Sequence, residues 1–226
     1  MNIDFSGPLI RERLTASLAV SQSESENVDT IHATLPQGIL DLGIGKPQVQ
    51  RCVNTRGTYQ FSDSNSLTYG VRYSVDTRKN QGIGGFIMPL RASNSKANNW
   101  NFDFSQFSRL SSRSVYQTRF EINDTQDETV PLSEAVQINV LDTFRDGGAQ
   151  NRAENSDRNY IFGNLYERLG EKLTLKAGVE GVFRKNRSLA QNNFTGSYTF
   201  SSLASYLEGK PLNFRINQGD PLLEMS

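Results

Sequence analysis

Few residues in this chain have the types and spacing that catalysis needs. Gly43-Ile44-Gly45-Lys46-Pro47 superficially has the look of a phosphate loop, but its first Gly is misplaced and Pro47 stands where a Ser or Thr would bind magnesium. Gly82-Ile83-Gly84-Gly85-Phe86 lacks the third Gly and the following helix of a dinucleotide fingerprint, and reads as a flexible loop. His32 is the sole histidine, which removes His-pair zinc sites and most Ser-His-Asp arrangements; it reads as a solvated loop residue. Cys52 is the sole cysteine, so an internal disulfide and a cysteine-based metal cluster are both excluded, and it reads as a small apolar strand residue. Asp124, Asp127 and Glu128 lack the spacing and the Gly of a calcium loop and read as solvated acids. Asn123-Asp124-Thr125, Asn186-Arg187-Ser188 and Asn193-Phe194-Thr195 are glycosylation sequons, which carry no meaning if the source is bacterial. No catalytic residue, metal site or cofactor is expected.

What the chain does have is alternation. Over 66–77, Leu67, Tyr69, Val71, Tyr73 and Val75 are apolar or aromatic, while Ser66, Thr68, Gly70, Arg72, Ser74 and Asp76 are small, polar or charged. Successive strand side chains point to opposite faces, so this is a strand with one apolar and one wet face. Its length, about ten residues, suits a tilted strand crossing a bilayer's hydrocarbon core.

The totals permit that reading. The 226 residues carry a net charge of +0, which gives no electrostatic support to a nucleic-acid partner. A hydrophobic content of 36% and a mean hydropathy of −0.54 exclude helical spans, because no window nears about 18 uninterrupted apolar residues. Neither excludes a β-barrel, whose strands are half polar, nor a soluble β-sandwich.

Similar alternation recurs along the chain. Strands are expected over 9–21, 49–61, 66–77, 100–108, 114–122, 160–167 and 173–184, with a further strand around Val136, Ile138 and Val140. Ser201 to Leu207 has a Ser cap and helical spacing, and Leu212, Phe214 and Ile216 form a last short strand. Short turns near 62–65, 109–113 and 168–171 alternate strictly with long loops near 22–48, 78–98, 124–156 and from 186 onward. Outer-membrane barrels keep this parity, with short periplasmic turns and long outer loops. Mid-strand charges on the polar face and Tyr and Phe on the other favour the barrel over the sandwich.

Several segments together resemble the TonB-dependent outer-membrane receptors, specifically the Oar-like group with a carboxypeptidase-regulatory-like domain. Phe5-Ser6-Gly7-Pro8-Leu9-Ile10-Arg11-Glu12-Arg13-Leu14 is similar to that group's first barrel strand, with Ser6 replacing a Gly. Asp146-Gly147-Gly148-Ala149-Gln150 is similar to its Gly-rich outer segment, and Leu173-Thr174-Leu175-Lys176-Ala177-Gly178-Val179-Glu180 to a recurrent strand. The most specific match runs from Asn193 to Pro211, through Phe200-Ser201-Ser202-Leu203 and Tyr206-Leu207-Glu208-Gly209-Lys210-Pro211.

The resemblance implies an all-β, antiparallel up-and-down transmembrane β-barrel segment. Residues 1–226 would form an open partial barrel of about seven strands with long outer loops, where family barrels close with about 22. The family's plug domain and TonB box are not visible, and neither is a signal peptide, so the chain is expected to be an internal piece of a longer receptor. The implied setting is the outer membrane of a Gram-negative-type bacterium. The implied partners are outer-membrane lipid, the TonB system in the full-length protein and a small-molecule, glycan or peptide ligand. The function would be energised uptake. The alternatives are a self-standing surface or secreted β-sheet binding protein (an adhesin or glycan-binding module) and a passive porin-like barrel. Lumen-facing candidates are Arg72, Asp76, Arg119, Glu121, Lys176, Glu180 and Arg184. Lipid-facing candidates are Leu67, Tyr69, Val71, Tyr73, Val75, Phe120, Leu175, Val179 and Phe183.

Overall fold

A computed structural model describes residues 1–225. Nine strands form one antiparallel sheet: β1 (Asn2–Ile10), β2 (Leu14–Leu35), β3 (Gly38–Ser62), β4 (Asn65–Gln81), β5 (Ser93–Ser111), β6 (Ser114–Pro131), then β9 (Asn151–Leu169), β10 (Thr174–Asn192) and β13 (Leu222–Met225). Each strand pairs with the next in this order, so the wall is an up-and-down meander. The fold is all-β, and among the described residues no helix is long and apolar enough to cross a membrane.

The expected count of about seven wall strands is corrected to nine. The proposed strand over 9–21 is two elements: β1 and β2 meet in a turn at 11–13, where Glu12 takes a φ of 60°. The alternation of Ile3 and Phe5 with Asn2 and Asp4 carries the first of them. β13 is a short strand that joins the upper part of β10 through Leu189 and Leu222.

The loops near 22–48 and 124–156 are also corrected, because strand pairing runs far into both. β2 and β3 form a continuous ribbon from Leu14 against Tyr59 to Leu35 against Gly38. Gly43, Gly45 and Lys46 lie in this ribbon, not in a loop. Strong polarity made the stretch look like loop. A two-stranded ribbon bonded along its full length keeps one face wet, while Ile31, Ala33, Leu35, Leu40 and Ile44 turn to the other face under the structure above it.

A second, four-stranded sheet lies above the wall: β12 (Asn213–Arg215), β11 (Ser197–Phe200), β7 (Gln137–Val140) and β8 (Phe144–Asp146), in that order. A helix, α1 (Leu203–Leu207), sits beside it, and the Ser cap read from the sequence is present as a capping box between Ser202 and Ser205. The segment 84–87 stitches this cap to the wall. The Gly85 N–H donates to the Thr30 carbonyl at 2.9 Å, and the His32 N–H to the Gly85 carbonyl at 2.8 Å. The Arg145 N–H then donates to the Phe86 carbonyl at 2.8 Å. Residues 82–86, expected to be a flexible loop, are thus a hydrogen-bonded bridge to the otherwise free upper edge of β2.

The buried apolar core belongs to this cap. Ile31, Ala33, Val140, Phe144 and Phe200 form it, with Leu35, Leu40, Ile44, Met88, Ile138, Leu203 and Tyr206 packed around them. Tyr206 meets Phe144 and Phe200 edge-on at 5.3 Å and 5.2 Å. Gly147 makes the β7–β8 connection possible: its φ is +83°, and a Cβ there would lie 2.1 Å from the Val136 carbonyl oxygen. Gly147→Val is expected to cost about 1–3 kcal/mol from backbone strain alone. The measurable outcome is rapid protease cutting within 132–150, with the wall strands left intact.

Candidate functional site

Register sorts the wall into two chemically opposite faces. Because directly paired residues share a face, one row can be followed across the sheet: Val20, Val53, Tyr73, Trp100, Asp124, Arg158 and Lys185. The next row is Leu18, Thr55, Val71, Phe102, Ile122, Tyr160 and Phe183, and below it stand Ala16, Gly57, Tyr69, Phe104, Phe120, Phe162 and Gly181. All nine residues proposed to face lipid fall on this one face. Trp100 packs on Tyr73 at 5.2 Å and Phe183 on Tyr160 at 6.0 Å, so aromatics collect near its upper margin.

Among the described residues no second layer covers this face. Val179 is 62% and Phe183 57% exposed, while Ile31 in the cap is fully buried. The same chain thus buries apolar side chains above the wall and leaves a wide apolar band bare on it. The band also slants. Its upper end is Val75 on β4, in the row of Arg187, but on β10 the apolar run ends at Phe183, four residues lower and four strands along. One residue of shift per strand, at about 3.4 Å per residue and about 4.8 Å between strands, corresponds to a tilt of about 35°.

The opposite face is polar and holds all seven residues proposed to line a lumen. Arg119 Nη2 lies 2.5 Å from Glu121 Oε2, and Asn123 Nδ2 donates to Glu121 Oε1 at 2.7 Å. The amide ladder continues from Asn101 Nδ2 to Asn123 Oδ1 at 2.5 Å. Lys176 pairs with Glu167 at 3.2 Å across the β9–β10 hairpin. Asp76 is held by Arg78 Nη2 at 2.7 Å and Nε at 3.1 Å, and by Gln48 Nε2 at 3.0 Å. Among the described residues Arg72, Glu180 and Arg184 make no side-chain ion pair, although Glu180 shares a row with Arg119 through Gly163. Gln48, Gln50, Arg78 and Glu167 belong to these networks and were missed. Extending the even-numbered parity of β3 upward past Val53 would have placed Gln48 and Gln50 beside Asp76.

The cap roofs this polar face. Ile31, Ala33 and Leu35 continue the parity of Ser21 and Ser23 on β2, and Leu40 and Ile44 that of Cys52 and Gln50 on β3. The inner surface therefore changes from polar to apolar as it rises out of the wall, and the cap packs on the apolar part. Arg91, in the 3-10 turn Pro89–Arg91, donates to Asn139 Oδ1 at 2.7 Å. Burial and the nearby Arg145 lower its pKa from the ordinary guanidinium value. Gln150, buried beneath the cap, accepts from the Thr195 N–H at 3.0 Å and donates to the Gly196 carbonyl at 2.5 Å, tying the end of the β8–β9 connection to the turn before β11.

No protein-family model matches the chain, and no curated protein does. Among solved structures, the outer membrane transporter YddB from Escherichia coli is similar, with a TM-score of 0.67 at 18% identity over 99% of this chain. The chain spans 29% of that protein's length. The likeness is one of fold: this chain has the architecture of a stretch of outer-membrane barrel wall with its loops folded above it.

Proposed function

We propose that the chain is a wall segment of an outer-membrane receptor of the TonB-dependent type, in the Oar-like group, and that it serves energised uptake of a small molecule, glycan or peptide. In this reading Leu67, Tyr69, Val71, Tyr73, Val75, Phe120, Leu175, Val179 and Phe183 meet lipid. Arg72, Asp76, Arg119, Glu121, Lys176, Glu180 and Arg184 meet a water-filled lumen. The cap stands on the outer side, where a ligand arrives, and the TonB system would act on the full-length protein from the periplasm.

One observation carries the proposal: a slanted apolar band, exposed and unlayered, backed by a charged face. In water such a band would favour aggregation, whereas in lipid it is the expected surface of a barrel. The free edges of β1 and of lower β10 fit the same view, since unpaired backbone in hydrocarbon costs several kcal/mol per group and further strands must satisfy it. Fractionating the cells that make the protein tests this. It should sediment with outer membranes, resist carbonate washing and need detergent for extraction. Recovery as a detergent-free monomer would refute the reading and favour the secreted β-sheet alternative.

A further inference from the structure

The polar face carries a recess of about 380 Å³ in the upper part of the wall, where β2, β3, β4 and β5 meet. Its floor is made of small side chains from adjacent strands, Ser21 opposite Cys52 and Cys52 opposite Ser74; the row continues to Asn99 on β5, and Ala97 lies one step higher, opposite Asp76. The three small residues in register, Ser21, Cys52 and Ser74, leave a hollow between the longer side chains of Gln50, Arg72 and Asn99.

The charges around the hollow differ in their commitments. Asp76 is saturated by Arg78, Gln48 and Gln50. Arg51 lies at the rim but points to the opposite face by parity, where its Nε donates to Gln22 Oε1 at 3.0 Å. Asp103 leans across Gly70, since a Cβ on that Gly would meet Asp103 Oδ1 at 2.3 Å. Arg72 is exposed and, among the described residues, forms no ion pair and no side-chain hydrogen bond. A guanidinium offers five donors in a fixed fork that fits carboxylate and phosphate oxygens. Here it shares the recess with the serine hydroxyls of Ser21, Ser23 and Ser74, which can donate, and with Asn99, whose amide already donates to Thr125 Oγ1 at 3.3 Å.

We propose that this recess is a binding site for an oxyanion-bearing ligand, a carboxylate or phosphate group held by Arg72 with the hydroxyls of Ser21 and Ser74. It deepens the transport reading, on which it rests for the polar face being a lumen, and makes this patch a station for anionic cargo after it passes the cap.

Cys52 supplies the reporter, because it is the sole cysteine and lies on the recess floor. The full chain in detergent is labelled with sulfonatoethyl and with trimethylammonioethyl methanethiosulfonate, each rate being normalised to that with free cysteine. One uncompensated positive charge nearby is expected to give the anionic reagent an advantage of about fivefold. Arg72→Gln should bring the ratio towards one and Arg72→Lys should retain it. Citrate or inorganic phosphate should slow labelling of the parent chain but not of Arg72→Gln. A ratio near one in the parent, or one unchanged by Arg72→Gln, overturns the site. So does a Cys52 that reacts only after denaturation, since the recess would then be filled. If the protein needs no detergent yet keeps an Arg72-dependent preference, the transport reading fails and the anion site stands.

Discussion

Val71→Arg is expected to cost the folded protein about 2–4 kcal/mol in a bilayer, while Ala19→Arg costs about 0–1 kcal/mol. Val71 lies mid-strand on the apolar face, in one row with Thr55 and Phe102. With that face in lipid, as proposed, a guanidinium there would have no water, and its register partners Thr55 and Phe102 offer no counter-charge. Ala19 lies at a similar height on the other face, opposite Asp4 and Asn54. An Arg at 19 gains a carboxylate neighbour and keeps its hydration. Urea unfolding in lipid vesicles measures both. Trp100, the sole tryptophan, reports on it from the apolar face, where it packs against Tyr73. If that face instead met water, Val71→Arg would fall within about 0.5 kcal/mol of the parent, as surface substitutions do. Equal costs at the two positions would refute the assignment of faces.

Phe144→Ala should remove about 3–5 kcal/mol from the cap, and Ile31→Ala about 2–5 kcal/mol. Both side chains are buried in the one compact apolar cluster, and Phe144 also supplies the edge-on contact with Tyr206. The loss should be local. Wall strands are held by their own ladders, and the wall residues of the cap core come from the β2–β3 ribbon: Ile31, Ala33, Leu35, Leu40 and Ile44. Hydrogen exchange separates the two: amides of Gly85, Arg145 and Leu141 should lose protection while those of 67–75 keep theirs. Equal loss throughout would mean that wall and cap unfold as one unit.

The wall was legible because it obeys period two. Tyr69, Val71 and Tyr73 against Thr68, Arg72 and Ser74 is a pattern that only a half-apolar strand explains. The turns were legible for the same reason, as Asp63-Ser64 interrupts it. The helix at Leu203–Leu207 was readable from Ser202 and Ser205, whose reciprocal capping is local chemistry. What stayed hidden depends on distant partners. The ribbon over 22–35 and 38–48 crowds its apolar residues, among them Ile31, Ala33, Leu35, Leu40 and Ile44, at its far end, so the polar run from Gln22 to Asn27 looks like loop; its strand character there comes from cross-strand backbone pairing. The cap core joins Ile31 to Phe144 and Phe200, which no local window connects. Arg72 could be placed on the polar face from parity. That it stands free while Asp76 is fully engaged depends on Gln48, Gln50 and Arg78 converging from two strands.

The stitch between Gly85 and the β2 edge has a further consequence, for the order in which the chain assembles. Wall hairpins such as β3–β4 and β5–β6 close between sequence neighbours and can zip one after another. The upper pairings instead join Ile31 to Gly85, Ile87 to Arg145 and Val140 to Phe200, partners separated by 54, 58 and 60 residues. Closing such large loops is entropically slow. The upper structure therefore closes after the hairpins beneath it, and the ribbon that began as the second strand must wait, half clothed, until the final third of the polypeptide arrives to cover it.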